Sequence, residues 1–275
     1  MAEIIENMWS KLKELFASSH PLDLTIIDET NLKLDTLVKS LMEELITKDI
    51  CLKLEGKKVD IIIPKDFGAT VYKYAIDEEK AHYDANGLST SNGNFSITTK
   101  NNIICFKLII NSRVFEDSLY LSTVTHEFTH AVDFSEYINK YSNPFLMNSS
   151  MKNKNYYREF YLWTEYNAKK KGLLRYQKEL DKDNLKLSIT VNDFIHDVES
   201  EIYSLPKLYS LMHFFARVFV CNYQGYKFNI DNYVSNFLIC KFGSNVFLIQ
   251  TTIEKIKNFK DFEKKKVILK YLIFP

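Results

Sequence analysis

The chain has 275 residues with 36 basic and 35 acidic side chains, so its formal net charge is only +1. This balance argues against nucleic-acid binding of the kind that depends on a strongly basic surface. Hydrophobic residues make up 46% of the chain and charged residues 26%, as in an ordinary globular protein with a substantial buried core.

Targeting signals and membrane segments are not evident in the sequence. Residues 1–6 contain no basic stretch followed by an apolar core, so no signal peptide is predicted. No run of about 20 apolar residues occurs, and no membrane span is expected. The four cysteines are scattered and form no Cys-x-x-Cys pair. These features predict a cytoplasmic protein, although a toxin or effector exported without a cleaved signal would share them.

Two amphipathic patterns open the chain. Apolar residues at helical spacing predict a first helix that ends at His20-Pro21. Its stripe consists of Ile5, Met8, Trp9, Leu12, Leu15 and Phe16. A second helical stripe consists of Leu34, Leu37, Val38, Leu41 and Leu45. Residues 1–57 are therefore predicted to form a helical N-terminal segment that packs on a core.

Three apolar segments predict the strands of a small sheet. Residues 59–63 are typical of a buried strand, and residues 95–98 alternate in the manner of a half-exposed strand. Residues 103–110 are almost continuously apolar, which is typical of a central strand. Asn86-Gly87 and Asn92-Gly93 are turn signals between these segments.

The remainder of the chain is predicted to be mostly helical. The predicted segments are a helix from Asp117-Ser118 to about Tyr141, an Asn- and Ser-rich loop at residues 142–153, a long helix at residues 155–180, and a helix opened by a capping box at residues 190–193. The predicted division is residues 1–57, a core of residues 58–205 and a helical part of residues 206–275.

His126-Glu127-Phe128-Thr129-His130 lies within the predicted helix that ends near Tyr141. Residues four apart share one face of a helix, so the imidazoles of His126 and His130 can bind one metal ion. Glu127 lies next to the first ligand and can reach a metal-bound water. Two neutral imidazoles and a carboxylate base are the groups that polarise water for hydrolysis at neutral pH, which predicts a zinc site.

A catalytic zinc site usually has a third protein ligand. Glu136 lies six residues after His130, but a ligand at that spacing needs a Gly in place of Asp133 to turn the chain back. Asp133 shares the face of the two histidines, yet its short side chain reaches poorly, and a hydrogen bond to a ligand histidine suits it better. Glu165 on the next helix is the remaining candidate, and Ala168 on the same face permits close helix approach.

A hydrolase of this kind also needs a donor for the oxyanion that develops on the substrate. Tyr161 lies one turn before Glu165 and is the first candidate. Further candidates for a donor or an orienting group are Tyr157, Arg158, His196 and His213.

The order of strands, an H-E-x-x-H helix and a second helix with a Glu resembles the zincin metallopeptidases of the gluzincin type. The eight residues from His126 to Asp133 are similar to the active-site helix of the anthrax lethal factor-like family. Thr129 replaces a Gly that is frequent there. The resemblance covers residues 117–170, about fifty residues of the chain.

This resemblance implies a zincin-like α+β fold, in which a small mixed sheet precedes the active-site helix and a largely helical second lobe follows. It implies His126, His130 and Glu165 as ligands of Zn2+ and Glu127 as general base. It also implies that an extended peptide substrate lies along an edge strand, for which residues 94–99 are the best candidate.

The sequence therefore predicts a zinc endopeptidase that hydrolyses peptide bonds in a protein substrate. Glu127 activates the zinc-bound water, and Tyr161 is the candidate oxyanion donor. The alternative is a zincin-like regulatory or interaction protein whose metal site is structural or vestigial, although such a site has no use for the base Glu127. The expected partner is a protein or peptide substrate, without nucleic acid or membrane. The oligomeric state is not predicted.

Overall fold

The computed structural model describes residues 22–75, 80, 91–185, 207–224 and 232–273. These residues form a four-stranded mixed sheet and a larger number of helices, which agrees with the predicted α+β class. The predicted helix before Pro21, the turn at Asn86-Gly87 and the capping box at residues 190–193 lie outside the described residues.

The regular elements follow one another along the chain with short connections. The strands are β1 (Asp23–Asp28), β2 (Lys58–Ile63), β3 (Gly93–Lys100) and β4 (Ile103–Ile110). The helices are α1 (Asp35–Leu45), α2 (Lys48–Lys53), α3 (Phe67–Tyr74), α4 (Tyr120–Tyr141), α5 (Ser149–Lys154), α6 (Tyr157–Leu180), α7 (Lys207–Tyr223), α8 (Asn232–Phe242), α9 (Val246–Glu254) and α10 (Phe259–Ile273). None of these helices is both long and apolar enough to cross a membrane.

The chain divides into two compact units, and the division falls within α4. Among the described residues, the first unit ends at Glu136 and the second begins at Tyr137. The first unit contains the sheet, α1 to α3 and most of α4. The regular structure described in the second unit is helical. The predicted boundaries at residues 57/58 and 205/206 stay predictions.

The sheet has the strand order β1-β2-β4-β3. β1 pairs with β2 and β2 with β4 in parallel, whereas β3 and β4 form an antiparallel hairpin. In this hairpin Gly93 pairs with Ile110 and Lys100 with Ile103. β4 has a neighbour on both sides and is buried over most of its length, so the predicted central strand is confirmed.

Helices pack on both faces of the sheet. Alternate residues of a strand point to opposite faces, so each face offers its own side chains for these contacts. On one face Ile109 packs with Phe67 and Val71 of α3. On the other face the ring of Phe95 lies 5.7 Å from that of Phe106 and 5.0 Å from that of Phe134 on α4. The aromatic side chain of β3 thus fixes α4 against the sheet one turn beyond His130.

Two sequence predictions near the sheet are wrong or incomplete. No strand was predicted at Asp23–Asp28, because this edge strand is bounded by two acidic residues and is only partly buried. The turn signal at Asn92-Gly93 is confirmed only in part, because the chain bends at Asn92 while Gly93 already begins β3. The hairpin instead turns at Asn101 and Asn102, whose φ angles of 52° and 63° asparagine tolerates well.

The loop predicted at residues 142–153 contains a short helical turn and a short helix. Asn143 accepts a hydrogen bond from the N–H of Phe145 and begins the turn Pro144–Leu146. The side chain of Asn148 accepts a hydrogen bond from the N–H of Met151, and α5 begins after it. The prediction is wrong here because asparagines that mark a loop by composition also cap helices.

An aromatic cluster holds α6 within the second unit. The ring of Tyr137 stacks on that of Phe160 at 4.3 Å, and the ring of Trp163 stacks on that of Phe262 at 5.5 Å. The indole N–H of Trp163 donates to the carbonyl of Ile256 at 3.3 Å. These contacts fix the part of α6 that carries Glu165, two residues after Trp163.

Candidate metal centre

Two imidazoles converge on one face of α4. The Nε2 atoms of His126 and His130 lie 3.0 Å apart, and the two rings are nearly perpendicular. In tetrahedral zinc sites with Zn–N distances of about 2.0–2.1 Å, two ligand nitrogens lie roughly 3.3 Å apart. The spacing of the two nitrogens is therefore close to that of a zinc site.

The surroundings of the two histidines differ. His130 is buried, with 3% of its surface exposed, and its ring lies 5.7 Å from that of Phe95 and 6.3 Å from that of Phe134. His126 is half-buried. The aromatic rings limit the movement of His130, whereas the partial exposure of His126 leaves one side of the pair open to solvent.

Glu127 is buried, with 7% of its surface exposed. Its side chain lies beside Gly93, the first residue of β3, and beside Thr123 one turn earlier on α4. Glu127 is thus a buried carboxylate one residue from His126 on α4, which makes it a candidate general base.

Glu165 is buried in α6 and lies close to a histidine of α7. Its Oε2 atom is 3.5 Å from Nε2 of His213, whose ring also packs on that of Tyr209. Burial lowers the pKa of His213 to about 4, and the charges of Lys169 and Arg217 add to this effect while Glu165 opposes it. The neutral imidazole can donate one N–H, which suits it to orient the carboxylate of Glu165.

Among the described residues, one group of potential ligands has three members. These are His126, His130 and Glu165, each of which offers one ligand atom, and the three atoms lie within 4.8 Å of one another. Two imidazole nitrogens and one carboxylate oxygen form a donor set typical of catalytic zinc, which usually has three protein ligands. The residues present therefore fit a zinc ion.

Glu136 and Asp133, the two other acidic residues considered as the third ligand, also lie on α4. Glu136 is 3.5 Å from the ammonium group of Lys53. Burial raises the pKa of Glu136, and the charge of Asp133 adds to this effect while Lys53 opposes it. Asp133 is itself buried and does not belong to the group of three, so it remains a candidate for supporting the site from outside.

The candidates for the oxyanion donor lie on α6, on α7, which carries His213, or outside the described part. Tyr161 is half-buried, and its ring lies 6.1 Å from that of Tyr157. Tyr157 also contacts Tyr137, while Arg158 is exposed. His196 lies outside the described residues. The role of Tyr161 as donor stays a prediction.

Sequence reasoning missed two features of this centre. Gly93 was interpreted as a turn residue, and nothing local in the sequence indicates that it lies against Glu127. His213 was considered only as an oxyanion donor, whereas it contacts the candidate ligand Glu165. Both relations join residues far apart in the chain, so spacing does not reveal them.

Comparison with known proteins identifies no relative of this chain. No protein-family model, no curated protein and no solved structure matches the chain. The functional interpretation of the centre therefore depends on the chemistry and geometry of its own residues.

Proposed function

We propose that the protein is a zinc-dependent endopeptidase of the zincin type. The observation that carries the proposal is the convergence of the His126 and His130 Nε2 atoms at 3.0 Å, together with the buried carboxylate of Glu127, the residue that follows His126 on the same helix. A structural metal site needs ligands but no adjacent base, so the combination favours hydrolysis.

The proposed zinc ligands are His126, His130 and Glu165. A bound zinc ion would supply Lewis-acid chemistry, lowering the pKa of a water molecule and polarising a substrate carbonyl. His130 is held by aromatic rings and Glu165 is buried, so little side-chain entropy remains to be lost when these two groups bind an ion.

Glu127 is the proposed general base. It accepts a proton from the water that attacks the peptide carbonyl and later delivers a proton to the leaving amine. Tyr161 is the proposed donor to the oxyanion, because it lies one turn before Glu165 on α6.

A cytoplasmic location also remains part of the proposal.

The proposed substrate is an extended segment of a protein. β3 lies at one end of the strand order, so among the described strands it pairs with β4 alone. The edge of such a strand can bind an extended peptide through main-chain hydrogen bonds. β3 also carries Phe95, which contacts His130, so a peptide bound along β3 would pass near the metal centre.

The proposal is tested with a library of peptides prepared from a whole proteome. The zinc-loaded protein is expected to cleave a subset of peptides at internal bonds, and mass spectrometry identifies the new termini. Removal of zinc by a chelator should abolish cleavage, and added zinc should restore it. A zinc-loaded protein that cleaves neither peptides nor folded proteins would instead favour the regulatory or interaction protein.

Glu165→Ala is expected to weaken zinc binding far more than Asp133→Ala. Glu165 belongs to the three-membered group, whereas Asp133 does not, and a lost ligand costs more affinity than a lost supporting contact. The zinc affinity of both variants is measured by competition with a chromogenic chelator. The opposite ranking would make Asp133 the ligand and the gluzincin-type assignment wrong.

His213→Ala is expected to lower zinc affinity about 10- to 100-fold, because supporting contacts to metal ligands typically contribute this much. His213→Gln should recover part of this loss, because its amide can donate a hydrogen bond to Glu165, which lies 3.5 Å from the imidazole of His213. The same chelator competition measures both variants. Unchanged zinc affinity in a folded His213→Ala protein would show that His213 does not orient Glu165.

A further inference from the structure

Gly93 begins β3 and lies against the side chain of the proposed base. A Cβ atom built on Gly93 would lie 2.6 Å from Oε1 and 3.0 Å from Cγ of Glu127. It would also lie 2.8 Å from Cγ2 of Thr123. Carbon atoms that do not share a bond pack best at about 3.5–4.0 Å, so even a methyl group does not fit here unless a neighbour moves.

The backbone conformation does not explain the glycine at this position. Gly56 and Gly243 are the described glycines with positive φ angles, and Gly93 is not among them. Gly93 has the extended conformation of a strand residue and pairs with Ile110, a geometry that any amino acid with a side chain adopts. The space beside Glu127, and not the φ angle, therefore requires the absence of a side chain.

The start of β3 is anchored and does not withdraw easily. The N–H of Asn111 donates to the carbonyl of Asn92 at 2.9 Å, and the side-chain amide of Asn111 donates to the carbonyl of Ser91 at 3.1 Å. The guanidinium of Arg113 donates to the side-chain oxygen of Asn92 at 3.0 Å. A new side chain at position 93 would therefore press on Glu127 and Thr123 before it displaced the strand, and the carboxylate of Glu127 is the more flexible of these two neighbours.

We infer that Gly93 is a positioning residue for Glu127: because it lacks a side chain, the carboxylate can lie against the start of β3 and face the water that it deprotonates. The catalytic consequence rests on the proposed function. The contact itself does not, because it concerns only the packing of Gly93, Thr123 and Glu127.

The test compares four proteins: wild type, Gly93→Ala, Glu127→Ala and the double variant. Gly93→Ala is expected to lower kcat about 10- to 100-fold, because misplacing a catalytic group by about 1 Å costs this much. KM and zinc content should not change. The melting temperature should fall by about 2–10 °C through overpacking. In the Glu127→Ala background, Gly93→Ala should not change the residual rate, and it should lower the melting temperature by less than in the wild-type background, because only the contact with Cγ2 of Thr123 remains.

Thr123→Ala is the matched control, because it removes the other close neighbour and leaves the base in place. Added to Gly93→Ala, it should not restore kcat. The inference is overturned if Gly93→Ala retains the wild-type kcat, if it acts equally in both backgrounds, or if the double variant fails to fold. Should the wild-type protein hydrolyse no peptide, the proposed function fails, and the melting temperatures alone decide whether Gly93 makes room for Glu127.

Discussion

The Glu127→Gln variant is expected to fold and bind zinc like the wild type while hydrolysing peptides about 100- to 10,000-fold more slowly, which is the usual contribution of a positioned general base. Glutamine keeps the shape of the side chain and one hydrogen-bonding oxygen, but it does not accept the proton of the attacking water. The melting temperature should be unchanged or slightly higher, since a buried carboxylate is costly to desolvate.

Glu136→Gln provides a matched control for this prediction. Glu136 lies on the same helix, but its carboxylate pairs with Lys53. It should retain wild-type turnover and zinc content. The comparison requires steady-state kinetics on one cleaved peptide together with elemental analysis of each protein. Equal turnover in wild type and Glu127→Gln would remove Glu127 from the mechanism and leave the interaction protein as the better account.

His126→Ala and His130→Ala should each abolish the tight binding of zinc and all hydrolysis. Each change removes one of the two imidazole nitrogens that lie 3.0 Å apart, and the remaining imidazole and carboxylate form an incomplete site. His130→Ala should also lower stability, because it leaves a cavity beside Phe95 and Phe134. His126 is only half-buried, so His126→Ala should lower stability less than His130→Ala does. The His126→Ala variant therefore shows the effect of losing the metal with little loss of packing.

Elemental analysis after expression in zinc-supplemented medium measures the metal content of these variants. His20→Ala, which removes a histidine outside the motif, is the control and should retain zinc. If either His126→Ala or His130→Ala keeps a full complement of zinc, the metal lies elsewhere. The short distance between the two rings would then be a hydrogen bond between neutral imidazoles.

Elements with a strong local pattern were predicted correctly from the sequence. β2 and β4 are mainly apolar segments, interrupted only by Asp60 and Lys107 after their first residues, and α4 and α6 have boundaries within a few residues of those predicted. The H-E-x-x-H spacing also predicted the convergence of His126 and His130, because a helix turns by a fixed angle per residue. These features depend on neighbours within one element.

Features that depend on distant parts of the chain were not predictable in this way. β1 is stabilised by its pairing with β2, more than thirty residues later in the chain, and not by a clear alternation of its own residues. The contact of His213 with Glu165 joins two helices, and the space that Gly93 leaves for Glu127 joins a strand to a helix. Such contacts become visible only when tertiary packing brings the residues together.

The central claim is tested most directly by measuring peptide hydrolysis while the zinc-free protein is titrated with zinc. The account predicts no hydrolysis without zinc, a rate that rises in proportion to added zinc, and a plateau at one zinc ion per chain. A rate that does not depend on zinc, or the absence of hydrolysis once one zinc ion is bound, would contradict it.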